Sequence, residues 1–257
     1  MNFKTKIIFI FIFLFLIPYA FAGTISSCNP TLVSGTPGNP NVYTITTNIQ
    51  SSGDCFTITN LHDIVIQGQV DGNNNLITHV TAAGNALSIS GTANHITFKN
   101  VIVDDGGFGV SYGLNTPAYV TIDRVKFLNG GAWVYGSEYV SITNSEFYGA
   151  NSVYIYGSES QVNNHVRDIV IRNNKLLLSG GAADTYDIFR LKDVQTSIID
   201  GNYIEDANPN QVLAVKIFQT KLTNFTNNII KTKTGSFTGG SYAAIRLRSS
   251  TSDNYFY

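Results

Sequence analysis

Residues 168–176 alternate apolar and polar positions, turn on Asn173 and Asn174, then return the apolar Leu176. Related figures run through Tyr139-Val140-Ser141-Ile142-Thr143-Asn144, Tyr119-Val120-Thr121-Ile122-Asp123-Arg124 and His95-Ile96-Thr97-Phe98-Lys99-Asn100. Downstream they return in Ser197-Ile198-Ile199-Asp200-Gly201 and Thr223-Asn224-Phe225-Thr226-Asn227. The position of Asn173 recurs at Gly68, Asn100, Arg124, Asn144, Gly201, Asn227 and Asn254, with successive spacings of 32, 24, 20, 29, 28, 26 and 27. One strand–turn–strand figure at such a period means a solenoid, because no single unit can bury its apolar face alone.

Each unit contains three short period-two runs, here called strands one, two and three. Strand one is clearest at 56–58, 87–89, 132–134, 153–155, 189–191, 215–217 and 245–247. Strand two is the Ile169/Ile171 pair and its equivalents. Strand three ends on Val103, Phe127, Phe147, Leu176, Ile204, Ile230 and Tyr257. Asn or Gly between strands two and three suits a sharp corner, since both tolerate left-handed backbone. Stacked asparagines there can also hydrogen-bond along the axis. Insertions fall at 113–118 and 157–166, and a loop at 180–185. The repeat is open at Tyr257, in mid-coil, so the expectation is a truncated chain or a partner stacked on that end.

The first 22 residues carry a different pattern. Lys4 and Lys6 precede an unbroken apolar run over 7–17, and Ala20-Phe21-Ala22 fits a cleavage site. This reads as a secretory signal peptide, too short to favour a membrane span. The mature chain should then be secreted or held at the cell surface. Cys28 and Cys55 are the only cysteines, and in an oxidising compartment they point to one disulfide. Residues 23–55, with Gly35, Pro37, Gly38 and Pro40, read as an N-terminal cap clamped by that bond. The remaining 56–257 form the repeat domain. Net charge is −1 and 13% of residues are charged, so the basic excess of a nucleic-acid binder is missing.

The repeats resemble those of right-handed parallel β-helix proteins of the pectin-lyase-like superfamily. The early stretch, with Cys28, the run at 42–49, Cys55-Phe56-Thr57-Ile58 and Asp63-Ile64-Val65-Ile66-Gln67-Gly68, resembles the start of NosD-like and related prokaryotic surface β-helix proteins. The resemblance implies an all-β fold: a single-stranded right-handed parallel β-helix of about seven coils. It leaves activity open, because this fold hosts many. Polygalacturonases would require Gly-His-Gly, Arg-Ile-Lys and Asn-Thr-Asp, and pectate lyases an Asp cluster with Arg-x-Pro-x-x-Arg; the sequence contains none of these. Copper handling would want His, Met or Cys. The only Met lies in the leader, and His62, His79, His95 and His165 are scattered. No metal or cofactor is implied. Asp104-Asp105-Gly106 is the one paired carboxylate of interest, and it reads first as a turn.

The outward side of strand one carries the chemistry. Coil by coil it reads Thr57, Ser88, Ser111, Trp133 with Tyr135, Tyr154 with Tyr156, Arg190 with Lys192, Lys216, and Arg246 with Arg248. An aromatic patch would run into a basic one, suited to stacking on sugar rings and pairing with carboxylates. By contrast, Lys126, Glu146 and Lys175 alternate in sign along strand three, as do Lys99 with Asp123 and Arg172 with Asp200 along strand two, the mark of structural ladders. The first expectation is an extracellular protein that binds an acidic, for instance cell-wall, polysaccharide. A polysaccharide lyase is the alternative, with Arg190, Lys216 and Arg246 as catalytic candidates. A structural envelope or adhesion module without catalysis is the third. Asn224-Phe225-Thr226 is a glycosylation sequon, with Asn224 expected to face outward.

Overall fold

The computed structural model describes residues 20–110, 118–148, 153–156, 166–178, 189–206, 213–231, 243–248 and 255–256. Among them are 22 strands, and every strand pairing between them is parallel. Partners lie one full turn of chain apart. Strand two runs through Ala22–Ile25, Asn41–Ile45, His62–Gln67, the first parts of Asn94–Val110 and Ala118–Phe127, then Glu138–Thr143, Val166–Arg172, Val194–Asp200, Lys221–Thr226 and Tyr255–Phe256. Strand three forms a second column and strand one a third. Parallel crossovers are right-handed as a rule, and the chain is a right-handed parallel β-helix.

Strand one has eight rungs among the described residues: Phe56–Thr59, the ends of His79–Ser90 and of Asn94–Val110, Ala132–Tyr135, Val153–Tyr156, Phe189–Lys192, Leu213–Phe218 and Ala243–Arg248. The stretch read as an N-terminal cap supplies rungs: Asn41–Ile45 pairs with His62–Gln67, and Ile49–Ser51 with the start of His79–Ser90. Residue Ala22 opens the first strand, and the Phe21 amide donates to Asn41 Oδ1, so cleavage after Ala22 would leave that strand to begin at Gly23. A disulfide joins Cys28 to Cys55, as expected.

The core follows the alternation residue by residue. Phe56, Phe98, Phe108, Phe127 and Phe189 are fully buried, while Thr57, between Phe56 and Ile58, is exposed. Phe127 and Phe147 occupy one strand-three column and stack at 4.8 Å. Each such side chain removed from water contributes about 1.5–3 kcal/mol, and the column repeats the gain at every rung. Asn224 is exposed between buried Thr223 and Phe225, as expected.

The corners differ from the sequence expectation in three ways. Asn100, Arg124, Asn144, Asn173, Gly201 and Asn227 do adopt positive φ between strands two and three, at 51–66°. Gly68 does not; it is pinned by crowding instead, since a Cβ there would lie 2.2 Å from the Asn100 carbonyl oxygen. From Gly68 the chain leaves the coil and returns at Thr78. Asn254 lies outside the described residues.

Second, the axial amide ladder is built one residue later than the corner. The buried residues are Ser145, Asn174 and Asn202, continued by Asn228. Asn174 Nδ2 donates to Asn202 Oδ1 at 3.0 Å, and Asn202 Nδ2 to Asn228 Oδ1 at 2.9 Å. Each also donates to a carbonyl of the preceding rung, Ile142 and Ile171 respectively. The reason is direction: the left-handed residue points its side chain outward, and its neighbour points in.

Third, left-handed backbone recurs at two more corners among the described residues. One column opens the corner after strand one, at Asn60, Gly91, Gly136, Asp193 and Gln219. Its partner column, at Asp63, His95, Tyr119, Tyr139, Asp168, Thr196 and Leu222, has φ of 51–56° on non-glycine residues throughout. Such backbone costs roughly 1–2 kcal/mol per residue, and stacking offsets it: His95 lies 4.7 Å from Tyr119, and Tyr119 stacks on Tyr139 at 4.3 Å and 5°.

Candidate functional site

Strand one places the candidate residues in two parallel columns. The register joins Gly109 to Trp133, then Trp133 to Tyr154, Arg190, Lys216 and Arg246 in turn. Two residues along, it joins Tyr135 to Tyr156, Lys192, Phe218 and Arg248. The register thus aligns Trp133, Tyr154, Arg190 and Lys216 in one column, with Arg246 at its next position. Gly109, not Ser111, holds the position beside Trp133; Ser111 lies outside the described residues, as do the insertion residues 113–117 and 157–165 and the loop at 180–185. Phe218 belongs to the face and was not read from the sequence, because only Lys216 stood out in Val-Lys-Ile-Phe.

The face has a fixed internal geometry. Trp133 lies over a glycine: a Cβ at Gly107 would sit 2.2 Å from the indole, so that backbone seats the ring. Tyr135, exposed, stacks on Tyr156 at 5.3 Å, and Tyr156 meets Tyr154 edge-on at 5.8 Å. The Arg190 guanidinium lies 5.0 Å from the Tyr154 centroid and donates to Tyr156 Oη at 2.6 Å. Lys216 Nζ stands 4.5 Å from the Phe218 centroid. Cation–π contacts of this kind hold long basic side chains in one orientation. Arg190 thus joins Tyr135, Tyr154 and Tyr156 in one connected cluster, with Lys216 and Phe218 paired on the next rung.

The other charged columns are ladders, with one difference. Lys126 Nζ approaches Glu146 at 3.7 Å, and Arg172 Nε approaches Asp200 at 3.2 Å. Lys99 stands opposite Asp123 in the register, but the Asp123 carboxylate accepts from Thr143 Oγ1 and Asn144 Nδ2, each at 2.8 Å, on the next coil. Asp200 repeats that clamp with Thr226 and Asn227. Hydrogen bonds from Asn227 and Thr226, aided by Arg172, hold the Asp200 carboxyl below the usual range. Tyr148 is pushed up to about 12 by burial and by its hydrogen bond to Glu146.

The remaining candidates separate. Asp104 faces His79, whose Nδ1 lies 2.9 Å from both carboxylate oxygens, while Asp105 accepts from the Gly106 amide as a turn residue. The two carboxylates are thus engaged apart and form no acid–base pair. Asp63 is buried between His62, at 2.9 Å, and His95, at 3.4 Å. Among the described residues no group of three or more His, Cys, Asp or Glu is placed to hold a metal ion, and no helix is long and apolar enough to cross a membrane.

No protein-family model and no curated protein matches the chain. Several solved structures align with it. One, described as "Polygalacturonate Lyase by Fusing with a Self-assembling Amphipathic Peptide", shares 12% identity over 91% of this chain and 80% of its own, at a TM-score of 0.49. The tailspike protein mutant E372A of E. coli bacteriophage HK620, in complex with a pentasaccharide, shares 11% over 91% and 59%, at 0.40. ORF18 of Geobacillus virus E2 shares 11% over 80% and 54%, at 0.38. At that level of similarity the fold rests on the chain's own strand register, which makes it a parallel β-helix.

Proposed function

We propose that this is a secreted or cell-surface β-helix protein that binds an acidic polysaccharide along the outward face of strand one. The observation that carries the reading is the register of one column: Trp133, Tyr154, Arg190, Lys216 and Arg246 stand opposite one another on consecutive rungs. Rungs are about 4.8 Å apart, so the four steps span roughly 19 Å, room for several sugar units. Aromatic rings offer apolar faces to sugar C–H groups, and guanidinium and ammonium groups pair with uronate carboxylates. The disulfide supports export, since such bonds persist in oxidising compartments.

A lyase would use the same column differently. It needs one group to take the proton beside the uronate carboxylate and another to neutralise that carboxylate. A guanidinium stays protonated in proteins, so the proton would go to Lys216, with Arg190 beside it in the register facing the carboxylate.

The test is retention of the purified protein on immobilised polygalacturonate, with ultraviolet absorbance followed for an unsaturated uronate product. Binding by the wild type, and its loss in Arg190→Ala/Lys216→Ala, is the expected result. Each lost charge-assisted contact is worth about 1.5–3 kcal/mol, so the pair should weaken binding at least about a hundredfold. Product formation abolished by Lys216→Ala would make the protein a lyase. No retention on any acidic or neutral polysaccharide would leave a structural envelope module.

A further inference from the structure

A second recessed site lies on a different corner of the coil, between strands two and three. The excursion that leaves at Gly68 folds back on itself through a Val70–Leu76 bridge. Asp71 fixes its tip, accepting from the Asn73 and Asn75 amides at 2.9 and 2.7 Å and from Asn75 Nδ2 at 2.9 Å. Those bonds, led by Asn75, hold the Asp71 carboxyl below its usual range. Arg124, far along the chain, clasps this tip: Nη1 donates to Asn74 Oδ1 at 3.1 Å and Nη2 to the Asn74 carbonyl at 2.9 Å.

Arg124 is the exception in its column. Every other described left-handed residue at this corner is Asn or Gly, while Arg124 takes φ 53°. Its clasp on Asn74 is a role that neither Asn nor Gly could fill. Between the clasped excursion and the strand-three face is a cleft of about 370 Å³, within the range of small-ligand pockets. Leu76, Ile102 and Val125 give it apolar surface, and Asn75 and Asn144, whose Nδ2 groups donate to Asp71 and Asp123, keep side-chain oxygens as acceptors for hydroxyls. Arg124, Lys126 and Glu146 give it a charge of +1 +1 −1 = +1. Apolar surface beside hydroxyl-binding amides and one excess positive charge matches an anionic sugar.

We infer that this cleft binds a single acidic monosaccharide unit, a uronate, with its carboxylate at Arg124 and Lys126 and its hydroxyls at Asn75 and Asn144. The site shares no residue with the strand-one face and does not rest on that reading.

The test is a titration of the full protein with D-galacturonate, and separately with neutral D-galactose, followed by amide chemical shifts in NMR. Galacturonate should shift the Asn75 and Asn144 side-chain amides saturably, and galactose should bind at least tenfold more weakly. Arg124→Asn restores the residue type usual at this corner, so the coil is kept while the clasp is lost. Lys126→Gln leaves the clasp intact and removes one charge. Each should raise the Kd read at those amides about tenfold or more. Absence of a saturable shift, wild-type affinity in either variant, or equal affinity for galactose would each overturn the inference.

Discussion

At the scale of single residues, the coil depends on side chains whose ionisation is tied to the next rung. Asp200 illustrates this. Its carboxyl is held low by Asn227 and Thr226 first, and by Arg172 after them. A depressed folded value means that its stabilisation is complete above the unfolded carboxyl range, near pH 4, and is lost as pH falls through the folded value. Asp200→Asn should therefore be less stable than wild type at pH 7 and show a shallower loss of stability below about pH 4, checked by thermal melts across pH. Tyr148 has the opposite sign. Its hydroxyl, raised to about 12 chiefly by burial, favours the neutral form in the folded chain. That stabilisation is complete below about pH 10, the unfolded value, and lost as pH rises from there towards 12. Tyr148→Phe should remove this part of the alkaline destabilisation in the same melts.

Residue identity told part of the corner geometry in advance. Asn100, Asn144, Asn173 and Asn227 announced left-handed backbone because Asn is enriched there. The column at Tyr119, Tyr139, Thr196 and Leu222 gave no such signal, since nothing in those side chains prefers that conformation. There the repeat imposes the corner, and contacts between coils offset its cost. Arg124 was legible as a member of the corner series but not as a clasp, because its partner Asn74 is 50 residues away in sequence.

At the scale of the element, the amide ladder separates two adjacent asparagines. Asn174 accepts from the Ser145 amide through Oδ1 and donates to Ile142 and Asn202, all within the buried corner. Asn174→Ala would leave that amide and carbonyl without partners, at about 1–3 kcal/mol for each orphaned group. A loss of roughly 2–6 kcal/mol is expected. Asn173 is exposed and left-handed, a conformation glycine adopts readily, so Asn173→Gly should change stability by less than about 1 kcal/mol. Urea denaturation of both variants at a constant m-value checks the pair. The Cys28–Cys55 bond closes a segment of 27 residues. Breaking it should cost about 3–4 kcal/mol in the chain-entropy model, seen as a lower urea midpoint under reducing conditions.

Strand alternation was the most legible property of the chain. Period two holds where one face of the strand is dry, as in Asn41–Ile45, Phe56–Thr59 and Phe189–Lys192, and a one-residue slip would expose it. The ladder was misplaced by one residue for a related reason: composition identifies an Asn-Asn corner but does not say which of the two points inward.

At the scale of the whole molecule, three columns of strands convert a weak repeat into continuous surfaces. The sequence aligned Trp133, Tyr154, Arg190 and Lys216 correctly because strand one has few irregularities over those rungs. It could not show that Tyr135 and Tyr156 stack or that Arg190 rests between two tyrosines, since such contacts depend on rotamers. The chain has one tryptophan, and it lies on the proposed binding face. The most direct measurement is therefore a fluorescence titration of Trp133 with oligogalacturonate at low and moderate salt. The account predicts a saturable change in emission, weakened by salt and weakened at least about a hundredfold in Arg190→Ala/Lys216→Ala. An unchanged emission, or equal affinity in the double variant, would contradict it.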